Sequence, residues 1–338
     1  MRVLVTGASG FIGSHAVKSL IALGHRPRLL VRDPVRAARV LGELGVPVEA
    51  TEMCQGDMLD EAAVSRALDG CDAMIHSAAA LGVTDRRTDL VEVNVAGTRN
   101  LVGGAVARGL DPVIYISTIA VFVPPVEPVI TSASPLANPR TAYGRSKIEA
   151  ERYVRGLQDD GAPVTTFYFS GVIGPHQPNL DTFSLGLVSM LKTAWPITRG
   201  GVSLLDVRDV GDALARGVRP GEGARRMVLG GHYSTWPRLA DICDAVTGAH
   251  TRRIPVPARA LLAIGTLLDV AKRVHGFGYP LTRDAAELVV TLVPSDDADT
   301  LDTLGLTLRP LEESLADTVR WLVAAGHLRP SKAGRLAP

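Results

Sequence analysis

The sequence predicts an α/β fold, a parallel sheet with helices wound on both faces and a smaller, mostly helical part beside it. Three observations predict it. From Val3 to about Gly231, short apolar runs of strand character alternate with longer stretches of helical spacing. The first run, Val3-Leu4-Val5, breaks into glycines at 7, 10 and 13 and then into an apolar helix. A second apolar strand, Pro27 to Val31, follows at the distance of a βαβ unit.

The helix after the glycines runs from about Phe11 to Leu23 and stops at Gly24. Three glycines at a strand-to-helix corner let the backbone turn tightly, let a pyrophosphate approach with no Cβ in the way, and let helix and strand pack closely. The unpaired N–H groups and the dipole of the helix N-terminus then favour negative charge. A phosphate loop ending in Gly-Lys-Ser/Thr is excluded, because Ser14-His15 follow the last glycine. The stretch reads as a dinucleotide cradle, and the fold as the Rossmann type.

After Val31 comes Arg32-Asp33-Pro34, at the strand end where an adenosine ribose would lie. A carboxylate there bonds the two ribose hydroxyls of NAD, whereas a guanidinium grips the 2′-phosphate of NADP. Arg32 comes first and Arg36 and Arg39 follow, which favours NADP; Asp33 keeps NAD open. A third strand ends near Cys54-Gln55-Gly56-Asp57-Met58, and a helix through Ala67-Leu68 leads to the strand Ala73 to His76. Asp57 is placed either to bond the adenine amino group or to cap or turn the chain. The small residues Ser77-Ala78-Ala79-Ala80 suit close approach of a cofactor and equally suit helix-on-sheet packing.

From Asp89 to Ala107 the apolar residues Leu90, Val93, Val95, Leu101, Val102 and Ala105 recur at mostly helical spacing, with Asn94 and Thr98 one turn apart. Asn94 in this apolar setting needs partners, either to hold a water or lysine near a site or to satisfy the core. The strand Pro112 to Ser117 ends in Ser117-Thr118, and a proline-rich surface loop runs through Pro124-Pro125-Val126-Glu127-Pro128. A helix then opens at Thr141-Ala142-Tyr143-Gly144-Arg145-Ser146-Lys147, with Tyr143 and Lys147 four apart on one face. The strand Val164 to Phe169 follows, ended by Gly171-Val172-Ile173-Gly174-Pro175. A helix Thr182 to Thr193, a strand near Ser203 to Val207 and a helix Val210 to Gly217 continue the pattern. Residues 1–174 and about 201–232 are assigned to the dinucleotide-binding domain, and 175–200 and 233–338 to the substrate-binding part.

With 36 Lys+Arg against 35 Asp+Glu in 338 residues, composition offers no electrostatic case for nucleic acid or an anionic membrane as the principal partner. Cys54, Cys71 and Cys243 form no C-x-x-C pair, and Met1 leads straight into the first strand, so the expected compartment is the cytoplasm. Eight scattered histidines show no metal-ligand spacing, and no metal is expected. The helix Pro257 to Arg273 has an apolar face of Leu261, Leu262, Ile264, Leu267 and Leu268, too short to span a bilayer; a lid or core helix is favoured over an interfacial anchor.

The chemistry lies in Thr118, Tyr143 and Lys147. A lysine ammonium one turn from a phenol, with a positive nicotinamide ring nearby, favours the phenolate and brings its pKa toward the working range. Thr118 at a neighbouring strand end can donate a hydrogen bond to a substrate carbonyl oxygen. Lys147 can also bond the nicotinamide ribose.

In this order, Thr6-Gly7-Ala8-Ser9-Gly10-Phe11-Ile12-Gly13, Gly56-Asp57, His76-Ser77-Ala78-Ala79, Asn94, Ser117-Thr118 and Tyr143-x-x-x-Lys147 resemble the motifs of the extended short-chain dehydrogenase/reductases, the NAD-dependent epimerase/dehydratase superfamily. The resemblance implies catalytic roles for Thr118, Tyr143, Lys147 and Asn94. It implies cofactor contacts from Gly7, Ser9, Gly10, Phe11, Ile12, Arg32, Arg36, Asp57, Met58, Ser77, Ala78, Ala79, Lys147 and Val172. Alignment of Val121-Phe122 with the family's Val-Tyr selects Thr118 over Ser117 as the catalytic hydroxyl. Dimers in the family form through the helices carrying Asn94 and Tyr143, so a homodimer is compatible with the sequence.

Val31-Arg32-Asp33-Pro34 resembles the dihydroflavonol reductase and cinnamoyl-CoA reductase group, with hydroxysteroid dehydrogenases as near relatives. That likeness implies an NADP-dependent oxidoreductase acting on a carbonyl or alcohol group of a small, hydrophobic substrate. The rivals are a nucleotide-sugar epimerase or dehydratase with tightly bound NAD, against which Arg32 stands, and a non-catalytic NADP sensor, which has no need of a proton donor. Tyr168-Phe169 depart from the family, which often has Arg-Pro there. The loops Leu81 to Thr88 and Pro124 to Asn138, which would choose the substrate, carry no readable code.

Overall fold

The computed structural model describes residues 1–78, 90–138, 142–275 and 282–337; the side chains of 90–92, 142–143, 272–275 and 284 lie outside that description. In chain order the first half holds β1 (Arg2–Thr6), α1 (Phe11–Ala22), β2 (Arg26–Val31), α2 (Pro34–Glu43), β3 (Glu52–Gln55), α3 (Glu61–Leu68), β4 (Ala73–His76), α4 (Leu90–Thr98), α5 (Gly104–Ala107), β5 (Val113–Thr118), α6 (Ala142–Asp159) and β6 (Val164–Phe169). The second half holds β7 (Gly171–Ile173), α7 (Thr182–Lys192), β8 (Trp195–Ile197), β9 (Gly201–Asp206), α8 (Val207–Arg216), β10 (Arg225–Leu229), β11 (His232–Thr235), α9 (Trp236–Thr247), β12 (Arg253–Pro255), α10 (Ala258–His275), α11 (Arg283–Thr291), α12 (Ala298–Leu304) and α13 (Leu311–Ala324).

Seven strands form one parallel sheet in the order β10-β6-β5-β4-β1-β2-β3. Strand order reverses between β1 and β4, which opens the crevice where such sheets take ligands. β1 reads as an unbroken apolar run because it is buried on both faces. Val3 and Val5 point into a core shared with α1 and α8. Leu4 points into the opposite core with α3 and α6. This is the doubly wound α/β, Rossmann-type fold that the glycine corner and the alternation predict.

Helix starts follow local chemistry. Asp33, Asp60 and Asp206 cap α2, α3 and α8 by accepting from backbone N–H groups of the first turn. The uneven apolar spacing expected over 89–107 is a π turn at Arg99–Gly103 between α4 and α5, which slips the helical register by one residue.

The alternation does not carry on as expected after β6. Gly171–Ile173 is a separate strand, and β9, expected to return to the pattern of the large sheet, pairs instead with β7 and β11 in a three-stranded sheet. β12 pairs with β8. A second apolar core gathers Trp195, Leu204, Trp236, Leu239, Leu315 and Leu322 from this half of the chain. Its helical character was legible; its small sheets were not, since three- and four-residue strands have too little periodicity to declare a partner.

Candidate functional site

The cradle is built by its glycines. Gly7 has φ of 73°, and a Cβ there would meet Ala78 N and Ser77 C at 2.9 Å, so the tips of β1 and β4 touch only because it has none. At Gly13 a Cβ would come 2.2 Å from the Gly7 carbonyl oxygen, so that helix and turn share one space. Gly10 is the N-cap of α1, exposed, with no side-chain cap. In contrast to α2, α3 and α8, this helix presents its first N–H groups to an external acceptor. Half-buried Ser9, Phe11 and Ile12 border Gly10. The residues fit a dinucleotide pyrophosphate.

Next to the cradle, hydrogen bonds tie the strand ends together. Ala78 N donates to Thr6 Oγ1 at 3.2 Å, which in turn meets His76 Nδ1 at 2.8 Å; His76 Nε2 meets Thr98 Oγ1 of α4 at 3.4 Å. Burial, and then the Lys147 charge, hold the His76 imidazole down to about 3, so the ring is neutral and donates on one side while accepting on the other. Ser77 and Ala78 are half-buried at the crevice. Ala79 and the loop 81–88 lie outside the described residues.

Buried Asn94 donates from Nδ2 to Ser146 Oγ at 3.1 Å, which ties α4 to α6 one residue before Lys147. Lys147 is half-buried, close enough to bear on His76. The helical stretch containing Tyr143 is described as backbone: Tyr143 stands in the first turn of α6, one turn ahead of Lys147. The two hydroxyls at the end of β5 differ. Ser117 is buried and donates to Glu151 Oε2 at 2.8 Å; Thr118 is half-buried at the tip, where its Oγ1 accepts from Ala120 N at 3.2 Å. The ends of β1, β4 and β5 and the start of α6 thus converge on one crevice.

Behind Thr118 lies a cluster that sequence reasoning missed. Glu151, on α6 one turn beyond Lys147, is 0% exposed. It accepts from Ser117 Oγ, from the Tyr168 hydroxyl and, at 3.0 Å, from Arg155 Nε. Arg155 Nη2 also donates to Tyr168 at 3.3 Å. Burial, then the Glu151 charge, push the Tyr168 phenol well above its ordinary range. Tyr168, where the sequence departs from the family pattern, is wholly buried in this cluster beside the Arg155 guanidinium. The available signal was spacing, since Glu151 and Arg155 continue the i, i+4 row from Tyr143 and Lys147.

At the adenosine end, Arg32 is 84% exposed and lies 4.0 Å from Asp57 Oδ2. Asp33 caps α2 through the Arg36 N–H at 3.0 Å. The Arg36 guanidinium turns toward the loop after β7, where Asn179 Oδ1 accepts from Nη2 at 2.7 Å, while Nε is buried with no hydrogen-bond partner among the described residues. Asp57 is a turn aspartate, accepting from Leu59 N at 2.9 Å; Asp60, not Asp57, caps α3. Met58 packs its thioether against Gly97 of α4. Val172 is buried in β7.

Two buried imidazoles set an acid limit on the fold. Burial lowers His15 to about 4 and His76 to about 3. The unfolded chain, with ordinary values near 6.5, therefore binds more protons than the folded chain below that pH, and stability falls with acidification. Each histidine contributes about 1.4 kcal/mol per pH unit between roughly pH 6.5 and its folded value. Urea unfolding at pH 7 and pH 5 is expected to show this loss, with a shallower slope in His76→Gln. An unchanged midpoint would contradict it.

Among the described residues, no helix is long and apolar enough to cross a membrane, and no group of three or more His, Cys, Asp or Glu side chains could hold a metal ion. Across almost the whole chain, the sequence is similar to the sterol demethylase protein B of Methylococcus capsulatus, at 28% identity over 96% of this chain and 99% of the relative. A shorter stretch, 34% of each chain, is 38% identical to cinnamoyl-CoA reductase 1 of Oryza sativa. The fold is that of the UDP-glucose-4-epimerase from Stenotrophomonas maltophila, solved with NAD, at a TM-score of 0.76 and 20% identity over 96% and 98% of the two chains. The model of the NAD dependent epimerase/dehydratase family matches residues 3–228, from the cradle through the Tyr143-x-x-x-Lys147 helix to β10, and the chain belongs to that family.

Proposed function

We propose that this chain is an NADP-dependent oxidoreductase that transfers a hydride between nicotinamide and a carbonyl or alcohol group of a small, apolar substrate. The observation that carries the reading is the convergence of the Gly7–Gly13 cradle, the Thr118 strand tip and the Lys147 face of α6 on the crevice between β1 and β4. A bound nicotinamide dinucleotide supplies or accepts the hydride. Gly7, Ser9, Gly10, Phe11 and Ile12 hold its pyrophosphate, Ser77, Ala78 and Ala79 its middle, Val172 its nicotinamide end, and Asp57 and Met58 its adenine. Thr118 orients the substrate oxygen by donating a hydrogen bond, and Tyr143 moves the proton to or from that oxygen. Lys147 favours the Tyr143 anion and binds the ribose. Asn94 holds Ser146, and with it the turn that carries Lys147. The similarity to a sterol demethylase protein and a cinnamoyl-CoA reductase supports an apolar substrate and reductive chemistry.

The preference for NADP rests on the division of labour at β2. Asp33 is engaged as the cap of α2, while Arg32 stands exposed at the strand end, where a 2′-phosphate would meet it. Arg36 stands in the first turn of α2, with its guanidinium on Asn179. Arg32→Ala is expected to weaken NADPH binding about tenfold to a hundredfold, the size of a lost charge-assisted hydrogen bond, and to leave NADH nearly unchanged. Equal losses for both would remove the specificity assignment.

Calorimetric titration of the purified chain with NADPH and then NADH tests the whole reading. Selective, reversible NADPH binding is the expected result. NAD retained through purification would favour a nucleotide-sugar epimerase or dehydratase instead, and binding of neither would refute a dinucleotide enzyme.

A further inference from the structure

Helix α10 buries only part of the face its sequence suggests: Leu261 is buried and Leu262 and Leu268 are half-buried, while Ile264 and Leu267 are exposed. Leu261 is buried against Ala286 and Val290 of α11. Gly265 backs onto Thr282 and Arg283, and Asp269 accepts from Arg283 N at 2.9 Å. These contacts fix the inner side of the helix. On the other side, Ile264, Leu267 and Val270, three residues apart, are 44%, 69% and 52% exposed, with Ala260 and Ala263 in the same outward sector. Ile254, just ahead of the helix, is also exposed.

This apolar strip lies in a basic stretch of sequence. Between Thr251 and His275 the sequence has Arg252, Arg253, Arg259, Lys272 and Arg273 against the single acid Asp269, five charges less one, or a net +4. Arg253 is paired with Asp241 and Asp244, whereas Arg252 and Arg259 stand exposed. The chain as a whole has a net charge of only +1, so the excess is local. A second copy docking through this face would set two such segments against each other at a like-charge cost. An anionic lipid surface answers both features: apolar side chains enter the headgroup boundary while the arginines meet lipid phosphates.

We propose that the outward face of α10 docks this chain peripherally on an anionic bilayer, with the helix lying along the interface rather than crossing it. The inference is independent of the reaction. Its test is co-sedimentation of the full chain with phosphatidylcholine vesicles, with and without about 30% phosphatidylglycerol, at low and high salt. The expected result is binding to the anionic vesicles that falls about tenfold or more in high salt and in Leu267→Glu. Because Leu267 is exposed, the variant's thermal melt should match the wild type, which separates lost docking from lost folding. No wild-type binding, equal binding to both vesicle types, or undiminished binding of Leu267→Glu would overturn the proposal. So would a wild-type dimer in sedimentation velocity that Leu267→Glu converts to monomer, since the face would then belong to a second copy.

Discussion

Tyr143→Phe should lose turnover by about 10²–10⁴-fold while its affinity for NADPH stays within about twofold of wild type. The substitution removes one oxygen and leaves the ring, so binding contacts elsewhere in the crevice are untouched. In the proposed reaction Tyr143 gives its proton to the substrate oxygen, and the phenolate left behind would be favoured by the Lys147 ammonium one turn on and by the N-terminal dipole of α6, in whose first turn Tyr143 stands. Steady-state rates and calorimetry on the same preparation separate the two effects. Retained turnover would remove Tyr143 from the proton transfer, and loss of cofactor binding together with turnover would indicate a misfolded crevice.

The second large effect is expected at Glu151. Its carboxylate accepts from Ser117, Tyr168 and Arg155 in a place without solvent. Glu151→Ala leaves the Arg155 guanidinium, itself largely buried, without its counter-charge and leaves two hydroxyls without an acceptor. Breaking such a pair costs about 3–5 kcal/mol, which urea unfolding would register as a large drop in midpoint. Glu151→Gln keeps the volume but sets an amide N–H₂ against donors, so it should recover only part of the loss. The cluster also joins β5, whose tip carries Thr118, to α6, which carries Tyr143 and Lys147. Glu151→Gln should therefore lower kcat more than it raises KM for the dinucleotide. An unchanged midpoint in Glu151→Ala would show that the cluster is energetically neutral.

Some features were legible because the chemistry that fixes them is local. Gly13 announces a corner whose crowding comes from Gly7 and Ala8, a few positions back, whereas the close approach at Gly7 is to Ser77 and Ala78 at the distant end of β4. Asp33-Pro34 and Asp60 start helices by bonds within one turn. The seven-stranded sheet follows from apolar runs that recur at βαβ distance and from the strong preference for right-handed crossovers. The order of cradle, small-residue strand end, strand-tip hydroxyl and Tyr-x-x-x-Lys helix was enough to name the family.

What tertiary structure alone decided depends on partners far away in sequence. Ser117 and Thr118 are adjacent and chemically alike, yet the first faces Glu151, 34 residues on, while the second stays at the crevice. Arg32 and Asp33 are adjacent at the end of β2, yet Asp33 is held locally by capping α2 while Arg32 stands exposed beside Asp57, 25 residues on. β9 joins β7 and β11 rather than the large sheet because its pairing is set by long-range register, for which a six-residue strand carries no address. In α10 the apolar residues lie on two sides of one helix, and which side is inside was settled by α11, through Ala286 and Val290, rather than by α10 itself. Periodicity states that a helix has an apolar face; only packing states what that face meets.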